Sequence, residues 1–442
     1  MTGVGGAGAP RLSVVIPVMD AARTLDDVLR SLEQQTADPG TFEVVVVDDG
    51  SAQPLAPVVE KHGGLDAKCV RLEPNRGRAV ARNTGAAHAA APRVLFLDGD
   101  SWALPSLVQR HLDFAERDRE RTTLLGRRLE LGWDRLREVM RGDQDPEIPE
   151  GLPNYEDDLR YAYAIQVDAV DFATHRAPWV CAYTHNMSVD RALFEEIGGF
   201  DEEFTQWGHE DIELGYRLFL AHDRRGGFAY DHEAVCVHLP HFRNLARNRQ
   251  TGGRNRELIK RKHLWFDIEL LGSEVYGNVE RKIARYEAVL DQARDQAAGQ
   301  LTAGGAAGVL ARVPALADRR VLWIGAGLGL SGDTARHDHA EPPTAANSHL
   351  LGIDTPHEDA SFDAVVQVDL WRHLTIPDLS LAIIEGMRVA PELYLVLAKP
   401  AAVPGGAGNA AWVVESFGTT FPASVVHDDE TLTVMRFQHR AG

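Results

Sequence analysis

The sequence predicts an α/β fold built on a mostly parallel sheet, and three observations lead to this prediction. Residues 12–100 alternate short apolar, β-branched segments with segments that carry hydrophobic residues at helical spacing. Three of the apolar segments stop at Pro or Asp, as buried strands often do. A strand-like segment with a Gly-rich turn, residues 321–329, begins a second series. Since strands alternating with helices form a parallel sheet covered on both faces, we expect two α/β domains, the second one smaller.

The predicted elements alternate along the first 240 residues. Short continuous apolar runs favour buried strands, and hydrophobic residues three or four apart favour helices. The predicted strands are 12–16, 42–47, 68–72, 93–97 and 234–239, with a strand or strand pair in 179–189. The predicted helices are 21–36, 55–62, 77–91, 103–120, 190–197 and 210–221, and two more follow within 254–298. The acidic, Pro-rich stretch 141–160 is expected to be a surface loop.

Composition limits the classes of function. The chain has 442 residues, 44% of them hydrophobic and 25% charged, which suits a globular protein of two or three domains. Its formal net charge of -19 argues against a general nucleic-acid binder and against an anionic-membrane binder. The three cysteines form no C-x-x-C pair, so neither a disulfide framework nor a thiolate zinc site is expected. Without a signal peptide or an apolar run of about 20 residues, the sequence predicts a cytoplasmic protein with no transmembrane segment.

Asp98-Gly99-Asp100 directly follows an apolar segment. Two carboxylates one residue apart at a strand end can aim at one point, which suits a hard divalent cation that holds a diphosphate. Asp and Gly are also ordinary turn formers, so the triplet alone fits a turn as well. Pro17 and Asp48-Asp49 are expected at the same edge of the sheet, where ligands of such folds bind.

Four segments together resemble the family-2 glycosyltransferases, which have the GT-A fold, a Rossmann-like mixed sheet flanked by helices. They are Ser13 to Pro17, Val47 to Ser51, Asn75 to Asn83, and Asp98-Gly99-Asp100. A fifth segment, Gly198 to Asp211, is similar to the acceptor-side motif of that family. Residues 238–266 resemble, more loosely, the polypeptide N-acetylgalactosaminyltransferases and chondroitin polymerases. The likeness covers residues 11–270, and the segments agree in order and spacing.

The resemblance implies a nucleotide-sugar site, with a UDP-sugar as the favoured donor and Mn²⁺ or Mg²⁺ as the cofactor. The residues that it implies for donor binding are Pro17, Asp20, Asp49, Arg78, Asp98, Gly99 and Trp207. It also implies that Asp100 binds the metal directly. Such a metal would neutralise the diphosphate and stabilise the departing UDP. The structural alternatives are a strand-ending turn for Asp49 and simple packing for Trp207.

Arg76, Arg78 and Arg82 lie near the start of a predicted helix, whose N–H groups already favour anions. By resemblance this segment flanks the nucleotide base and the diphosphate, and Arg78 is the residue to test. The alternative is a solvated, charged helix face.

His238 closes the last predicted strand, where a third metal ligand would be needed. An imidazole ligand favours Mn²⁺ over Mg²⁺. His241, three residues on, could take its place, and a lone His is more often structural, so these alternatives stay open.

Glu210 and Asp211 are predicted in the first turn of a helix. Acids there stabilise the helix dipole, which is their structural interpretation. An inverting transfer, however, needs a base that takes the acceptor proton as the new bond forms. The resemblance implies that Asp211 is this base and that Glu210 assists acceptor binding.

Residues 243–262 are rich in Arg and Lys around Gly252-Gly253. We expect a mobile loop that folds over the donor diphosphate as a lid. The alternatives are a solvated basic loop and a dock for an acidic acceptor or a phospholipid.

Residues 321–329 suggest a Rossmann-like nucleotide site, and residues 361–374 resemble the middle of S-adenosylmethionine-dependent methyltransferases. The interval between them is short, so the second strand, with its ribose-binding acid, is expected to be missing. We interpret residues 319–442 as a degenerate methyltransferase-like domain that serves homodimerisation or acceptor recruitment. A live methyltransferase is the alternative.

Together these observations favour a metal-dependent, inverting glycosyltransferase that moves a sugar from a nucleotide-sugar donor to a hydroxyl or thiol. The acceptor, a glycan, peptide or natural product, is not identified. The alternatives are an inactive sugar- or peptide-binding module, against which the complete acidic set argues, and a sugar nucleotidyltransferase. The predicted domains are a GT-A catalytic domain (1–242), a basic lid loop with a helical extension (243–300), a linker (301–318) and the methyltransferase-like domain (319–442).

Overall fold

The structure, a computed structural model, describes residues 9–130, 172, 174–240, 245–272, 276–299, 305–399 and 409–440. The chain forms two compact units, residues 1–256 and 257–442. The predicted surface loop 141–160 and the alternative metal ligand His241 lie outside the described residues. Among the residues that are described, no helix is both long and apolar enough to cross a membrane.

The first unit is built on a mixed sheet. Its described strands are Leu12–Val18 (β1), Phe42–Asp49 (β2), Ala67–Leu72 (β3), Arg93–Leu97 (β4), Ser101–Ala103 (β5), Thr123–Leu129 (β6), Asn186–Asp190 (β7) and Phe228–His238 (β8). They lie in the order β3-β2-β1-β4-β7-β6-β8-β5. The strands β1 to β4 run parallel to their neighbours in that series, whereas β7 is antiparallel to β4. The mixed α/β sheet predicted from the sequence is confirmed.

Helices cover both faces of this sheet. The helices described in this unit are Ala22–Glu33 (α1), Ala56–Val59 (α2), Arg78–Ala87 (α3), Leu107–Arg117 (α4), Arg191–Glu196 (α5), Glu210–Ala221 (α6) and Leu245–Lys262 (α7), whose C-terminal end belongs to the second unit. The α1 stripe of Leu25, Val28 and Leu29 packs with alternate β1 residues in one apolar cluster. On α3, a Cβ at Gly85 would lie 2.3 Å from Val15 Cγ1, so glycine is what lets this helix approach β1.

The second unit has a smaller sheet. Its described strands are Val321–Gly325 (β9), Arg336–Asp338 (β10), Ala364–Val368 (β11), Glu392–Ala398 (β12), Ala423–Asp428 (β13) and Leu432–Gln438 (β14), in the order β10-β9-β11-β12-β14-β13. The helices described here are Phe266–Glu269 (α8), Tyr276–Gly299 (α9), Ala306–Arg312 (α10), Ile376–Val389 (α11) and Asn409–Phe417 (α12). The strands β10, β9, β11 and β12 are parallel, and β14 is antiparallel to its two neighbours.

The second strand of this unit is present, so the expectation that it is missing was wrong. The strand β10 pairs in parallel with β9 and ends at Asp338, which lies opposite Gly325. It escaped prediction because it is three residues long and no helix separates it from β9. A parallel connection usually contains such a helix.

The described part of segment 301–318, which was predicted to be a linker, contains the helix α10. Its Val309 is buried in one apolar cluster with Leu316, Trp323 and Val366. This segment therefore contributes to the core of the second unit.

Candidate active site

A cavity of about 370 Å³ lies at the carboxyl ends of β1, β2 and β4, a volume that suits a small-molecule ligand. Its lining residues are Pro17, Val18, Met19, Asp20, Ala21, Thr24, Asp49, Arg78, Ala81, Arg82, Asp98, Gly99 and Asp100. The structure thus brings together all the predicted donor-binding residues except Trp207. Their role as donor ligands stays a prediction.

Asp49 holds the loop that leads into α3. Its carboxylate accepts hydrogen bonds from Arg76 N–H (2.8 Å), Gly77 N–H (3.0 Å) and Asn75 Nδ2 (2.8 Å). Gly77 has a φ of +92°, which favours glycine. Asp49 therefore places Arg78, the first residue of α3, on the cavity wall.

Asp20 joins the loops that follow β1 and β2. Its N–H donates to Ser51 Oγ (2.9 Å), and its carboxylate accepts from Ala52 N–H (2.7 Å). Its φ of +51° is in the left-handed region, which Asp tolerates better than most residues. This part of the cavity wall is consequently fixed before any ligand arrives.

Asp100 and His238 are placed side by side by the sheet. Ser101 pairs with His238 across β5 and β8, and Leu239 N–H donates to Asp100 O (2.7 Å). As a result, His238 Nε2 lies 3.7 Å from Asp100 Oδ2. The pair that the sequence predicted as metal ligands is therefore adjacent.

Glu130 faces the other side of the His238 ring and was missed from the sequence. Its Oε2 lies 3.1 Å from His238 Nδ1. Burial alone would lower the pKa of His238, but Asp100 and Glu130 outweigh it, so the pKa lies above its usual value. Glu130 directly follows β6, and no motif marks it.

Whether these residues suit a metal depends on what else would bind it. Among the described residues, no group of three or more His, Cys, Asp or Glu side chains is arranged to hold an ion. Nucleotide-bound Mg²⁺ or Mn²⁺, however, takes few protein ligands and completes its shell with phosphates and water. Asp100 and His238 fit a metal of this kind, and the imidazole favours Mn²⁺.

The sequence placed Arg82 in the segment that flanks the nucleotide, but it did not predict the contacts that Arg82 makes. Arg82 is 2% exposed, and its guanidinium donates to Asp98 Oδ1 (3.0 Å) and to Glu210 Oε1 (3.1 Å). Burial acts to raise the pKa of Asp98, yet Arg82 holds it below its usual value. The sequence did hold a signal for this ion pair. Arg82 lies at helical spacing from Ala79 and Ala86, and a charge on such an apolar helix face needs a buried partner.

Glu210 and Asp211 begin α6 but have different environments. Glu210 is buried and also accepts from Gly208 N–H (3.0 Å). Asp211 accepts from the N–H of Ile212 (2.9 Å). Burial, and next the charge of Glu210, raise the pKa of Asp211 to about 7. A carboxyl group of this kind can accept a proton at neutral pH, whereas Glu210 is held by Arg82.

The described residues 245–262 of the basic segment, which was predicted to be a loop around Gly252-Gly253, form the helix α7 instead. Asn255 Nδ2 donates to Gly208 O (2.6 Å) and Gln206 O (3.2 Å), and Thr251 Oγ1 donates to the main-chain oxygen of Trp207 (3.2 Å). These contacts explain why the loop prediction was wrong. They stabilise the helix, and so offset the roughly 1 kcal/mol that each glycine costs a helix. They also hold the loop that carries Trp207, whose side chain is 45% exposed.

Comparison with known proteins shows which families and which individual proteins this chain is similar to. The model described as glycosyl transferase family 2 matches residues 13–166, and one described as N-terminal domain of galactosyltransferase matches residues 172–239. Validoxylamine A glucosyltransferase of Streptomyces hygroscopicus subsp. limoneus is 33% identical over 388 residues, which cover 81% of this chain and 84% of that protein. Chondroitin synthase of Pasteurella multocida (strain Pm70) is 31% identical over 243 residues, covering 50% of this chain and 25% of that protein.

Among solved structures, S. aureus TarS in complex with UDP-GlcNAc is 19% identical with a TM-score of 0.43, covering 57% of this chain and 66% of that one. The family model takes in the strands that build the cavity, and the glucosyltransferase relative matches more of the chain than the first unit contains. The chain therefore belongs to glycosyl transferase family 2, and it is a glycosyltransferase with a GT-A-like fold.

Proposed function

We propose that this glycosyltransferase is metal-dependent and inverting, and that it uses a nucleotide sugar, UDP-linked in the first instance. The observation that carries the proposal is the buried Arg82 bridge. It joins Asp98, at the strand end beside the metal-ligand pair, to Glu210, at the start of the helix that bears the base. One side chain thus contacts both the segment proposed for the donor and the segment proposed for the acceptor, which supports a shared site.

On the donor side, the cavity accommodates the nucleotide, and Asp100 with His238 would hold the metal. The metal, when bound, supplies positive charge to the diphosphate and to the departing UDP. Arg78 adds a cation at the N-terminal end of α3, where the helix dipole already favours an anion.

On the acceptor side, Asp211 is the base. The acceptor oxygen or sulfur forms a bond to the anomeric carbon, the bond from that carbon to the diphosphate breaks, and the acceptor proton moves to Asp211. A single displacement of this kind inverts the anomeric centre. Positioned proton transfer typically contributes a factor of about 10² to 10⁴ to the rate.

The named relative guides the choice of substrates. The name of that relative describes a glucosyl transfer to validoxylamine A. We therefore propose glucose as the first donor sugar to test and a natural-product or glycan hydroxyl as the first class of acceptor.

The test is calorimetric titration with UDP in Mn²⁺ and then in EDTA, on the wild-type protein and on Asp100→Ala. We expect metal-dependent binding that the substitution abolishes. Glu233→Gln is the control, because Glu233 is exposed and pairs with Arg110 on the surface. Absence of UDP binding in every condition would sink the UDP assignment. Release of UDP, not pyrophosphate, from a UDP-sugar then separates transfer from nucleotidyl chemistry.

A further inference from the structure

We propose that Glu130 is a positioning residue for the metal: it fixes the tautomer and ring orientation in which His238 Nε2 faces Asp100. This inference rests on the proposed metal dependence and extends it to a residue that does not touch the metal. Three observations support it, namely the two-sided contact of the imidazole, the anchoring of Glu130 itself, and the ring nitrogen that the Glu130 hydrogen bond leaves for the metal.

The first observation is that the His238 ring is held between two carboxylates. It is 7% exposed, with Nδ1 3.1 Å from Glu130 Oε2 and Nε2 3.7 Å from Asp100 Oδ2. The shorter distance is that of a hydrogen bond, and the longer one is not. Glu130 is thus the direct partner of the imidazole.

The second observation is that Glu130 does not depend on His238 alone for its place. In the parallel pair of β6 and β8, Leu129 lies opposite Val237; Glu130 directly follows Leu129, and His238 follows Val237 as the last residue of β8. The other carboxylate oxygen, Oε1, lies 3.2 Å from Arg128 Nη2. One carboxylate oxygen thus contacts a guanidinium and the other contacts the imidazole. These two contacts restrain the Glu130 side chain, which is 39% exposed.

The third observation follows from the hydrogen bond. In the neutral ring, a carboxylate acceptor at Nδ1 places the ring proton on Nδ1 and leaves Nε2, the nitrogen that faces Asp100, able to bind a metal. Metal-ligating histidines generally donate their second N–H to a carboxylate or carbonyl, and loss of that partner costs about 10- to 100-fold in metal affinity.

The experiment is a Mn²⁺ titration in saturating UDP, followed by electron paramagnetic resonance of the free ion. For Glu130→Ala we expect the Kd for Mn²⁺ to rise about 10- to 100-fold, with UDP affinity in EDTA unchanged. Glu130→Gln should weaken binding as well, because its amide can donate to Nδ1 and move the ring proton to Nε2. Glu233→Gln, on a neighbouring exposed surface, should bind Mn²⁺ as the wild type does.

A double variant separates positioning from a general charge effect. If Glu130 acts through His238, adding Glu130→Ala to His238→Ala costs no further Mn²⁺ affinity. An additive loss, or an unchanged Kd in Glu130→Ala, overturns the inference and leaves the proposed function standing. A wild-type protein that binds UDP without any response to Mn²⁺ overturns the metal dependence itself. Thermal melts in EDTA establish that each variant is folded.

Discussion

The two units place an acid at the end of a parallel strand, and they use it in opposite ways. In the first unit, the side chains of Asp98 and Asp100 are 29% and 25% exposed and line the cavity. In the second unit, Asp338 is fully buried, and its carboxylate accepts from the N–H groups of Gly327 (2.8 Å), Leu328 (2.7 Å) and Ala340 (3.0 Å). The acids of the first unit thus face a cavity that a ligand can enter, whereas Asp338 is enclosed by its own turn.

The Gly-rich turn of the second unit shows the same effect. In a Rossmann-like site, such a turn offers its N–H groups to a phosphate and a nearby acid binds the ribose. Here the acid and two of those N–H groups satisfy each other. With the second strand present, the interpretation of a degenerate methyltransferase-like domain depends on this contact, and both it and the loss of S-adenosylmethionine binding stay predictions. The glucosyltransferase relative matches 81% of the chain, which is more than the first unit, so a role in the glycosyltransferase is our proposal for the second unit as well.

The most direct test of the difference between the two units is to change an acid of the first unit to its amide. We expect Asp211→Asn to lower the rate of transfer by a factor of about 10² to 10⁴, because the amide cannot accept the acceptor proton. The affinity for UDP should stay within twofold, because the proposed donor ligands are untouched. The measurement is steady-state sugar transfer together with UDP titration.

The control for this variant lies beyond the other end of the same helix. Asp223 is exposed and has a φ of +52°, which Asn adopts as readily as Asp. Asp223→Asn should therefore transfer sugar at the wild-type rate. A fully active Asp211→Asn would remove this residue as the base.

The pH dependence gives a second, smaller effect. Since burial and Glu210 raise the pKa of Asp211 to about 7, the basic form predominates only above that pH. We expect kcat/KM to rise about tenfold per pH unit below 7 and to level off above it. In the Asp211→Asn variant, kcat/KM should not show this rise below pH 7.

The raised pKa of Asp211 also makes the stability of the protein depend on pH. The pKa of Asp211 is 3.8 ordinarily and higher in the folded protein, so its contribution to the free energy of unfolding is present below 3.8 and is lost as the pH rises to about 7. Relative to wild type, Asp211→Asn should therefore gain stability as the pH rises through this window. Urea unfolding at pH 5 and pH 8 measures the difference, and a constant difference would contradict the assignment.

The sequence predicted what depends on local pattern. Apolar runs marked the strands, and their ends brought Asp49, Asp98 and Asp100 to one edge, as the cavity lining shows. The sequence also offered His238 as a metal ligand beside Asp100, with His241 and a structural role as alternatives, and the structure places His238 next to Asp100. Strand ends are readable from sequence, since hydrophobic burial fixes where a strand stops.

The remainder depended on contacts between distant residues. Arg82 and Glu210 are 128 residues apart, and Glu130 and His238 are 108 apart. The helix α7 was predicted as a loop because its glycines are visible in sequence and the bonds of Asn255 are not. For Asp338, the sequence shows an acid but not whether its oxygens are already occupied.

The matching change in the second unit is Asp338→Asn. We expect it to leave the rate of sugar transfer unchanged. In Asp338→Asn, the single amide oxygen cannot accept all three N–H groups, and the new NH₂ faces one of them. A buried donor left without a partner costs roughly 1–3 kcal/mol of stability. Hydrogen exchange of the intact chain, followed by mass spectrometry, should show faster exchange at Gly327 and Leu328, while sugar transfer at 25 °C stays at the wild-type rate.

Asp359→Asn is the control, because the side chain of Asp359 is 80% exposed, pairs with Arg388 on the surface, and should change exchange very little. The outcome decides what the acid of the second unit is for. If Asp338→Asn slows transfer without changing exchange around residue 327, the acid serves the reaction and the contrast between the units fails. If exchange rises and transfer does not fall, the carboxylate of Asp338 holds a turn closed, whereas Asp98 and Asp100 of the first unit line the cavity.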